Sequence, residues 1–436
     1  MEPCSDRHTL STMRFVQTAC AALLTLSCVA ATAHQQQPTR DQLPGKTILA
    51  KVGNWLKLPP EQRASAIPQE QLTKEDAGAI SQLIFETLKA EAQVSRQSEW
   101  TQTNANQSGS IKLSSVKAAG KVMKVLERTI GKAPKGGHSL WISMHGGGGT
   151  TAATNDQQWR NQISLYTPKE GIYVAPRAPS NTWNLWHESH IDALFDRLIS
   201  NYVIKRGVNP DRVYLMGYSA GGDGVYQLAP RMADRFAAAS MMAGHPNGVS
   251  MLSLRNLPFM IWMGAKDGAY KRNAIAAQWG KKLDKLAAND PGAYLHETHI
   301  IAGKGHWMDR EDAAAVPWMA KHTRATWPKK VVWHQTGRPH QRFYWLSVAG
   351  DNAQLAQTIT AEVNQQTVTV KSDSVTAVRV RLSDKLLDLD RDIIVKQNDE
   401  EVFRGTLPRT VLAIYESLQQ RMDPSSVACA TLQLGK

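Results

Sequence analysis

Apolar and polar positions between residues 120 and 327 alternate between two patterns. Short apolar runs, typical of buried strands, occupy residues 140–144, 172–175, 213–216, 237–242, 259–263 and 297–301. Between these runs, apolar side chains recur every three or four positions, as at Ile191, Leu194 and Leu198. That spacing predicts helices with one buried face. Strands that alternate with helices predict an α/β fold with a mostly parallel sheet flanked by helices.

The residues that precede this α/β region lack its alternation. Residues 34–72 are polar and contain several prolines, which predicts a flexible lead-in. Residues 73–76 (Thr-Lys-Glu-Asp) have the form of a capping box, and an apolar stripe at helical spacing follows them, so a helix is predicted there. Residues 92–118 are rich in Ser, Gln, Asn and Thr and are predicted to form a loop. We therefore interpret 34–119 as an N-terminal lead-in with one helix.

A second change of pattern follows the α/β region. Apolar side chains then alternate at period two, for example at Val368 and Val370, which indicates half-buried strands. A helix is predicted around 409–421, followed by a short strand. We interpret 120–327 as one α/β domain and 328–436 as a separate small β-rich domain.

The N-terminal segment has the form of an export signal. Residues 15–30 are uncharged and mostly apolar, and they precede an A-x-A cleavage site at 31–33. We predict a cleavable signal peptide over residues 1–33, hence a secreted or periplasmic protein that has no membrane contact after cleavage. An uncleaved anchor is the alternative. Cleavage would leave Cys429 alone, so the mature chain could form no internal disulfide, and we expect Cys429 to be buried.

Basic residues outnumber acidic residues in the whole chain, 51 to 38. Such an excess can attract nucleic acid or other polyanions. Here the basic residues are scattered and form no dense cluster of about five to eight positions, the form that polyanion-binding patches take. We therefore predict a soluble basic protein with no nucleic-acid partner.

Residues 217–222 (Gly-Tyr-Ser-Ala-Gly-Gly) follow a predicted strand and precede a predicted helix. The G-x-S-x-G pattern is typical of a nucleophile on a sharp strand-to-helix turn, because the close backbone packing there requires small neighbours. The start of a helix also favours negative charge that develops near the serine. In this position the motif predicts that Ser219 is a nucleophile rather than an inert turn residue.

A serine hydroxyl is a weak nucleophile until a base takes its proton. His306 follows the strand predicted at 297–301 and comes after the serine in the chain, which is where the base lies when the order is serine, acid, histidine. His187, His190 and His245 are the competing histidines, of which the first two precede the serine. The position favours His306 as the base.

The acid that orients this histidine is expected just after the preceding strand. Asp267 follows the apolar run 259–263 and fits this description. Asp290 and Glu297 are the alternatives. Asp223 would lie one helical turn beyond the nucleophile, where capping or pairing is its expected role.

A Gly-rich turn at 145–149 (His-Gly-Gly-Gly-Gly) follows the strand predicted at 140–144. The H-G-G-G pattern is typical of a turn whose amides bind the oxyanion of a tetrahedral intermediate, and glycine lets the backbone approach closely. The amide of Ala220 is expected to supply another donor. The chain has no G-x-x-x-x-G-K-[ST] motif, so a phosphate loop is not predicted.

With these motifs, residues 120–325 resemble the α/β-hydrolase superfamily, specifically secreted esterases related to poly(3-hydroxybutyrate) depolymerases and to feruloyl or acetylxylan esterases. The resemblance rests on the turn 145–149, the motif 217–222, Asp267, and the Gly-His-Trp sequence at 305–307. The site residues that it implies are the nucleophile Ser219, the acid Asp267, the base His306, and the oxyanion-hole donors Gly146, Gly147 and Ala220.

We therefore predict a serine hydrolase that cleaves small or polymeric carboxylic esters through an acyl-enzyme, without a metal or organic cofactor. Residues 328–436 do not look like the substrate-binding module of polymer depolymerases, and the mature chain lacks the cysteine pairs common in secreted relatives. A serine peptidase of the prolyl-oligopeptidase type is one alternative, although 34–119 is too short for its usual N-terminal propeller. A non-catalytic exported binding protein on a hydrolase scaffold is another. The oligomeric state is left open.

Overall fold

A computed structural model describes residues 44–374 and 377–435 of the chain. The predicted signal peptide and its cleavage site lie outside these residues. In the described part of the chain, no helix combines the length and the apolar character needed to cross a bilayer.

The described residues contain ten α-helices. They are α1 (Pro44–Leu56), α2 (Pro60–Arg63), α3 (Lys74–Ser95), α4 (Gln97–Trp100), α5 (Ala152–Gln162), α6 (Ile191–Arg206), α7 (Ala220–Arg231), α8 (Arg272–Asn289), α9 (Ala315–Met319) and α10 (Val411–Arg421). Thr73 caps α3, because its side chain accepts a hydrogen bond from the Asp76 amide at 3.1 Å. The helix predicted from the capping pattern is therefore confirmed.

Eighteen strands in the described residues form three sheets. They are β1 (Thr103–Asn104), β2 (Lys112–Ala118), β3 (Lys121–Ile130), β4 (Leu140–Met144), β5 (Gly171–Pro176), β6 (Val213–Tyr218), β7 (Ala238–Met242), β8 (Phe259–Gly264), β9 (His296–Ile301), β10 (Lys330–His334), β11 (Arg342–Phe343), β12 (Leu346–Ser347), β13 (Thr358–Asn364), β14 (Thr367–Ser372), β15 (Val378–Leu382), β16 (Ile393–Gln397), β17 (Glu400–Gly405) and β18 (Ala430–Leu434).

The central sheet has nine strands in the order β1-β2-β3-β5-β4-β6-β7-β8-β9. Pairing is parallel from β5 through β4, β6, β7 and β8 to β9, and antiparallel among β1, β2, β3 and β5. Every residue of β4 to β8 is buried, as expected for strands that helices cover on both faces. This is the predicted α/β-hydrolase fold, a mostly parallel sheet flanked by helices.

Residues 44–118 are more ordered than their composition predicts. α1 and α2 occupy most of the described part of the expected flexible lead-in, and α1 buries Val52 and Trp55. The loop expected at 92–118 contains β2, which joins the central sheet through β3. The pattern does not reveal β2 because Val116 is its one fully buried side chain, so polar and apolar positions do not alternate. The sheet therefore begins before residue 120.

The region after residue 327 is rich in strands, as predicted. One sheet has five strands in the order β10-β13-β14-β16-β17, and the other has four in the order β11-β12-β15-β18. α10 and β18 match the predicted helix and final strand, and Cys429 is buried as expected. The hydrophobic core continues from the central sheet into this region, and the chain from Pro44 onward forms one compact unit. Separate folding of 328–436 stays a prediction.

Four parallel strands of the central sheet lead to the predicted site residues. β4 ends just before His145, β6 ends at the residue before Ser219, β8 ends three residues before Asp267, and β9 leads into the loop of His306. Because parallel strands run in the same direction, their carboxyl ends meet at one edge of the sheet, where sites of α/β folds are formed.

Candidate active site

Ser219 occupies a sharp turn between β6 and α7. Its backbone φ of 58° is rare for a residue other than glycine. A Cβ atom on Gly217 would lie 2.2 Å from the carbonyl oxygen of Gly221, and one on Gly221 would lie 2.1 Å from the carbonyl oxygen of Met144. Both glycines are therefore needed for the strand and the helix to approach so closely, and the strained turn presents the serine side chain at the sheet edge.

The three residues predicted as nucleophile, base and acid form one hydrogen-bonded chain. The Oγ of Ser219 lies 2.9 Å from Nε2 of His306. Nδ1 of the same ring lies 2.7 Å from Oδ2 of Asp267. A neutral imidazole with its hydrogen on Nδ1 satisfies both bonds, because it then donates to the carboxylate and accepts from the hydroxyl. This geometry can move a proton from the hydroxyl to the ring.

Burial differs along this chain of groups. The Asp267 side chain is 2% exposed, whereas the His306 side chain is 44% exposed. Arg272 contributes a guanidinium nitrogen 3.9 Å from the second carboxylate oxygen. The backbone around the acid is fixed by its own amide, which donates to the carbonyl oxygen of Gly264 at 3.0 Å. The Asp267 carboxylate is held in the protein interior, and the His306 ring faces solvent.

Tyr218 holds the loop that carries the base. Its hydroxyl donates to the carbonyl oxygen of His306 at 2.6 Å and accepts from the amide of Met308 at 3.3 Å. Burial raises the pKa of this phenol, so the hydroxyl keeps its hydrogen. The sequence does not single out Tyr218, because the variable position of G-x-S-x-G has no assigned chemistry.

His145 is fully buried and fixes the Gly-rich turn. Its Nε2 accepts a hydrogen bond from the Ala178 amide at 3.2 Å, so its hydrogen lies on Nδ1, which donates to the carbonyl oxygen of Gly146 at 2.5 Å. Burial lowers the pKa of His145 to about 4. The ring is therefore neutral near pH 7 and has a structural role. Its own carbonyl oxygen accepts from Nε1 of Trp186 at 2.9 Å.

The residues whose amides are expected to form the oxyanion hole lie close to Ser219. A Cβ atom on Gly146 would lie 3.1 Å from Cβ of Ser219, so glycine lets this turn approach the nucleophile. Gly147 and Ala220 line the same cavity as the serine. The amides of the two glycines have no hydrogen-bond partner among the described residues. The third amide belongs to the first residue of α7, where no helical partner is available.

Asn155 completes this turn and was not predicted from the sequence. Its Oδ1 accepts from the Gly148 amide at 3.0 Å, and its Nδ2 donates to the carbonyl oxygen of the same residue at 3.0 Å. The turn needs glycine at Gly147 as well, because φ is 103° there and a Cβ atom would lie 2.1 Å from the Asn155 oxygen. The side chain lies on α5, which follows the turn, and its distance in sequence conceals the contact.

Cavities open on both sides of Ser219. One of about 480 Å³ includes Trp183 and Tyr270 in its lining. The other, of about 420 Å³, includes His306 and Trp307. The side chains of Trp183, Tyr270 and Trp307 are 64%, 77% and 49% exposed, respectively, and no other Trp, Tyr or Phe among the described side chains is exposed. Exposed aromatic side chains therefore line both cavities beside Ser219.

The competing histidines do not contact the nucleophile. His187 and His190 form no hydrogen bond with Ser219 in the described structure. His245 lines the larger cavity, and its amide donates to Oδ1 of Asp223 at 2.6 Å. Burial raises the pKa of this carboxyl, while its hydrogen bonds lower it. Asp223 therefore pairs with a neighbouring loop, as its position predicts.

The alternative acids lie in other ion pairs. Asp290 is bound by Arg255, with the shorter contact at 2.8 Å. Glu297 lies 3.0 Å from a ring nitrogen of His299. Neither contacts the ring of His306, which is bound by the acid that the strand pattern predicts.

The chain is similar in sequence to a known protein family and to one characterised enzyme. The Esterase family matches residues 150–389. Feruloyl esterase B of Thermothelomyces thermophilus is 30% identical over an alignment of 151 residues that covers 32% of this chain and 49% of that protein. The chain thus spans about half the length of the curated relative it matches. The serine, aspartate and histidine lie within the family match, whereas the turn 145–149 lies before it.

Solved structures overlap with the chain at low identity. A feruloyl esterase module from Clostridium thermocellum is 16% identical with a TM-score of 0.35, and it covers 48% of this chain and 87% of that one. An acetyl xylan esterase from Paenibacillus sp. R4 is 11% identical with a TM-score of 0.35, and the overlap covers 61% of this chain and 100% of that one. At these TM-scores and identities, the overlaps do not assign a function to this chain.

Proposed function

Because the chain belongs to the Esterase family, we propose that it is a serine hydrolase that cleaves carboxylic esters through an acyl-enzyme on Ser219. The observation that carries the proposal is the continuous hydrogen-bonded chain from Ser219 through His306 to Asp267. It lies between two cavities and beside three amides without partners, so nucleophile, base and oxyanion donors share one site.

In the first step, Oγ of Ser219 attacks the ester carbonyl carbon while Nε2 of His306 takes the hydroxyl proton. The buried carboxylate of Asp267 holds the ring and stabilises the imidazolium that forms. The carbonyl oxygen becomes an oxyanion, for which we propose the amides of Gly146, Gly147 and Ala220 as hydrogen-bond donors. Removal of one such donor typically costs about 3–4 kcal/mol of transition-state stabilisation.

The tetrahedral intermediate then collapses. The bond to the alcohol oxygen breaks, the imidazolium gives its proton to that oxygen, and the acyl group stays on Ser219. Water repeats the sequence: His306 takes a proton from water, the hydroxide oxygen attacks the acyl carbon, and the proton returns to Oγ as the acid leaves. The 44% exposure of the ring leaves room for both the alcohol and the water.

We include polyesters and acylated polysaccharides in the proposed substrate range. The exposed Trp183, Tyr270 and Trp307 offer flat apolar faces on both sides of the nucleophile, and such faces suit aromatic acyl groups or sugar rings. The similarity to a feruloyl esterase supports the inclusion of feruloyl esters. Export belongs to the same proposal, and N-terminal sequencing of the mature protein tests cleavage after Ala33.

The experiment that tests the activity combines labelling with a substrate panel. The purified protein is treated with a fluorophosphonate, and the modified peptide is identified by mass spectrometry. We expect the label on Ser219 and turnover of nitrophenyl esters of graded chain length, feruloyl esters or polyhydroxybutyrate. A label on another serine, or no turnover of any ester by folded protein, would contradict the proposal.

A further inference from the structure

A third cavity, also of about 480 Å³, lies at the opposite end of α7 from Ser219. Arg231, which lines it, is the last residue of α7, whereas Ser219 precedes the first residue. The rise of an α-helix over this length is about 16 Å. This cavity is therefore separate from the proposed active site.

Both regions of the protein contribute walls to this cavity. α6 and α7 of the α/β region form one side, and the other side comes from β15, α10, β18 and the segment 340–349. Met232 and Val348 add apolar surface. A ligand here would contact the α/β region and the C-terminal region together.

The charged lining is mostly basic. The charged side chains that line the cavity are Arg231, Arg342, Arg379, Arg421, Asp192 and Asp196. Both acids are already engaged, because Asp192 is bound by Arg231 at 2.7 Å and Asp196 by Arg235 at 2.8 Å. The lining therefore offers positive charge without free carboxylates.

Two arginines at this cavity have no acidic partner. Arg342 lines it, and Arg381 lies beside it; both donate to the same neutral oxygen, Oε1 of Gln420, at 3.2 and 2.6 Å. Neither forms a salt bridge with a described carboxylate, and the Nε atom of each is buried without a hydrogen-bond partner among the described residues. Two guanidinium groups thus converge on one amide oxygen.

A neutral oxygen compensates poorly for two cations in a partly buried place, because buried charges are stable when they are paired with opposite charge. Burial lowers the pKa of Arg342, and the nearby Arg421 and Arg381 lower it further, whereas Asp234 and Asp423 oppose that shift. The electrostatics are those of a site that lacks a negative charge.

We propose that this cavity binds a small organic anion, a carboxylate or a phosphate ester, whose charged group contacts Arg342 and Arg379. Guanidinium groups match both oxyanions with paired N–H donors. Arg379 is available for this role, because its ion pair with Glu416 is long, at 3.4 Å, and its side chain is 46% exposed. The cavity volume is that of a site for a small molecule rather than for a bare ion.

Because the ligand would bridge the two regions, its binding stabilises the folded protein. At about ten times the dissociation constant, the melting temperature of a chain of this length rises by about 2 °C. Calorimetric titration and thermal unfolding of the whole protein are measured with glucose 6-phosphate, glucuronate, inorganic phosphate and neutral glucose. Ionic strength is held constant, so that general screening does not contribute. The phosphate and carboxylate arms distinguish the two anion classes.

The variants separate a specific site from general charge effects. R342Q is expected to weaken binding about 10- to 100-fold, R379Q is expected to weaken it less, and R404Q, on the exposed strand β17, is the matched control with unchanged affinity. If R342Q does not fold, R379Q supplies the test, since its side chain is half exposed. Absence of binding by all three anions, equal binding of glucose, or unchanged affinity in a folded R342Q would overturn the proposal.

Discussion

The α/β region that ends at residue 327 and the C-terminal region that follows it use their charged side chains differently. In the first, Asp267 and His306 are joined in a chain that opens to solvent at the serine, so a proton can move along it. In the second, Asp423 is 2% exposed and is bound by Arg324 at 2.7 Å, with both groups out of contact with water. The first arrangement has the geometry for the proton transfer that we propose, whereas the second is a fixed, buried ion pair.

The buried pairs also connect the two regions. Asp423 of the C-terminal region accepts from Arg324 and Arg235 of the α/β region. In a further pair the arginine, Arg421, belongs to the C-terminal region and the acid, Asp234, to the α/β region. Buried ion pairs add little net stability over apolar contacts, but the loss of one partner is costly. The comparison therefore predicts that changes in the serine–histidine–aspartate chain affect turnover with little effect on stability, and that changes in the buried ion pairs do the reverse.

The largest effect is expected from Ser219→Ala. Turnover of a nitrophenyl ester should fall on the order of 10⁴–10⁶-fold, because the nucleophilic oxygen is lost. The melting temperature should stay near that of the wild type, since the alanine adds no volume at the turn. Ser65→Ala, at an exposed serine that lines neither cavity beside Ser219, is the control and should keep full activity. Comparable turnover in the two variants would show that Ser219 is not the nucleophile.

The next effect concerns stability. Asp423→Asn leaves Arg324 and Arg235 without the carboxylate that they share, so the free energy of unfolding should fall by about 3–5 kcal/mol. Urea denaturation measures this change, and turnover of the protein that remains folded should be close to normal. Asp399→Asn is the control, because Asp399 forms an exposed pair with Lys371 and typically contributes about 0–1 kcal/mol. Equal losses in both variants would contradict the structural role of the buried pair.

A third effect is a loss of stability in mild acid that both regions share. Burial lowers the pKa of His145 and of His340 to about 4. The unfolded imidazole has a pKa of about 6.5. Between these values the unfolded chain binds more protons, so the stabilisation is complete above about pH 6.5 and is lost as the pH falls toward 4. Each ring contributes up to about 1.4 kcal/mol per pH unit in this range.

His340→Gln tests this in the C-terminal region. Nε2 of His340 accepts a hydrogen bond from Nε1 of Trp333 at 2.8 Å, and a glutamine oxygen can accept the same bond without titrating. Urea denaturation at pH 7, 6 and 5 should show a smaller decline with acid in the variant than in the wild type. Identical declines would mean that His340 already binds a proton in the folded protein.

Features that a short stretch of sequence determines could be predicted, whereas features that depend on contacts between distant segments could not. Ser219, Asp267 and His306 each follow a predicted strand in a short motif, and the structure brings their side chains into one hydrogen-bonded chain. Their catalytic roles stay predictions. Tyr218 and Asn155 were not predicted, because their hydrogen-bond partners lie in other loops and no sequence spacing marks the two residues.

The secondary-structure elements also differ in whether the local sequence pattern predicts them. The parallel strands are continuous apolar runs and are predicted, whereas β2 is polar on most positions and becomes a strand because β3 pairs with it. α1 is helical in a segment that composition assigns to a flexible lead-in, since Val52 and Trp55 pack into the core. Tertiary packing decides these elements, and a single sequence gives little sign of it.

The smallest effect is expected from a change at Tyr218, which holds the loop of His306. Tyr218→Phe removes the hydroxyl that bonds the His306 carbonyl and the Met308 amide. The net stability lost should be about 1 kcal/mol, the usual value for one hydrogen bond. A base that is held less firmly should also lower kcat about 5- to 10-fold while KM changes little, because alignment rather than substrate binding is impaired. Tyr294→Phe is the matched control, since its buried hydroxyl donates to the carbonyl oxygen of Leu252 at 3.0 Å, away from the site. It should lose similar stability and keep its kcat. If both variants keep the wild-type kcat, Tyr218 supports the fold alone and does not position the base.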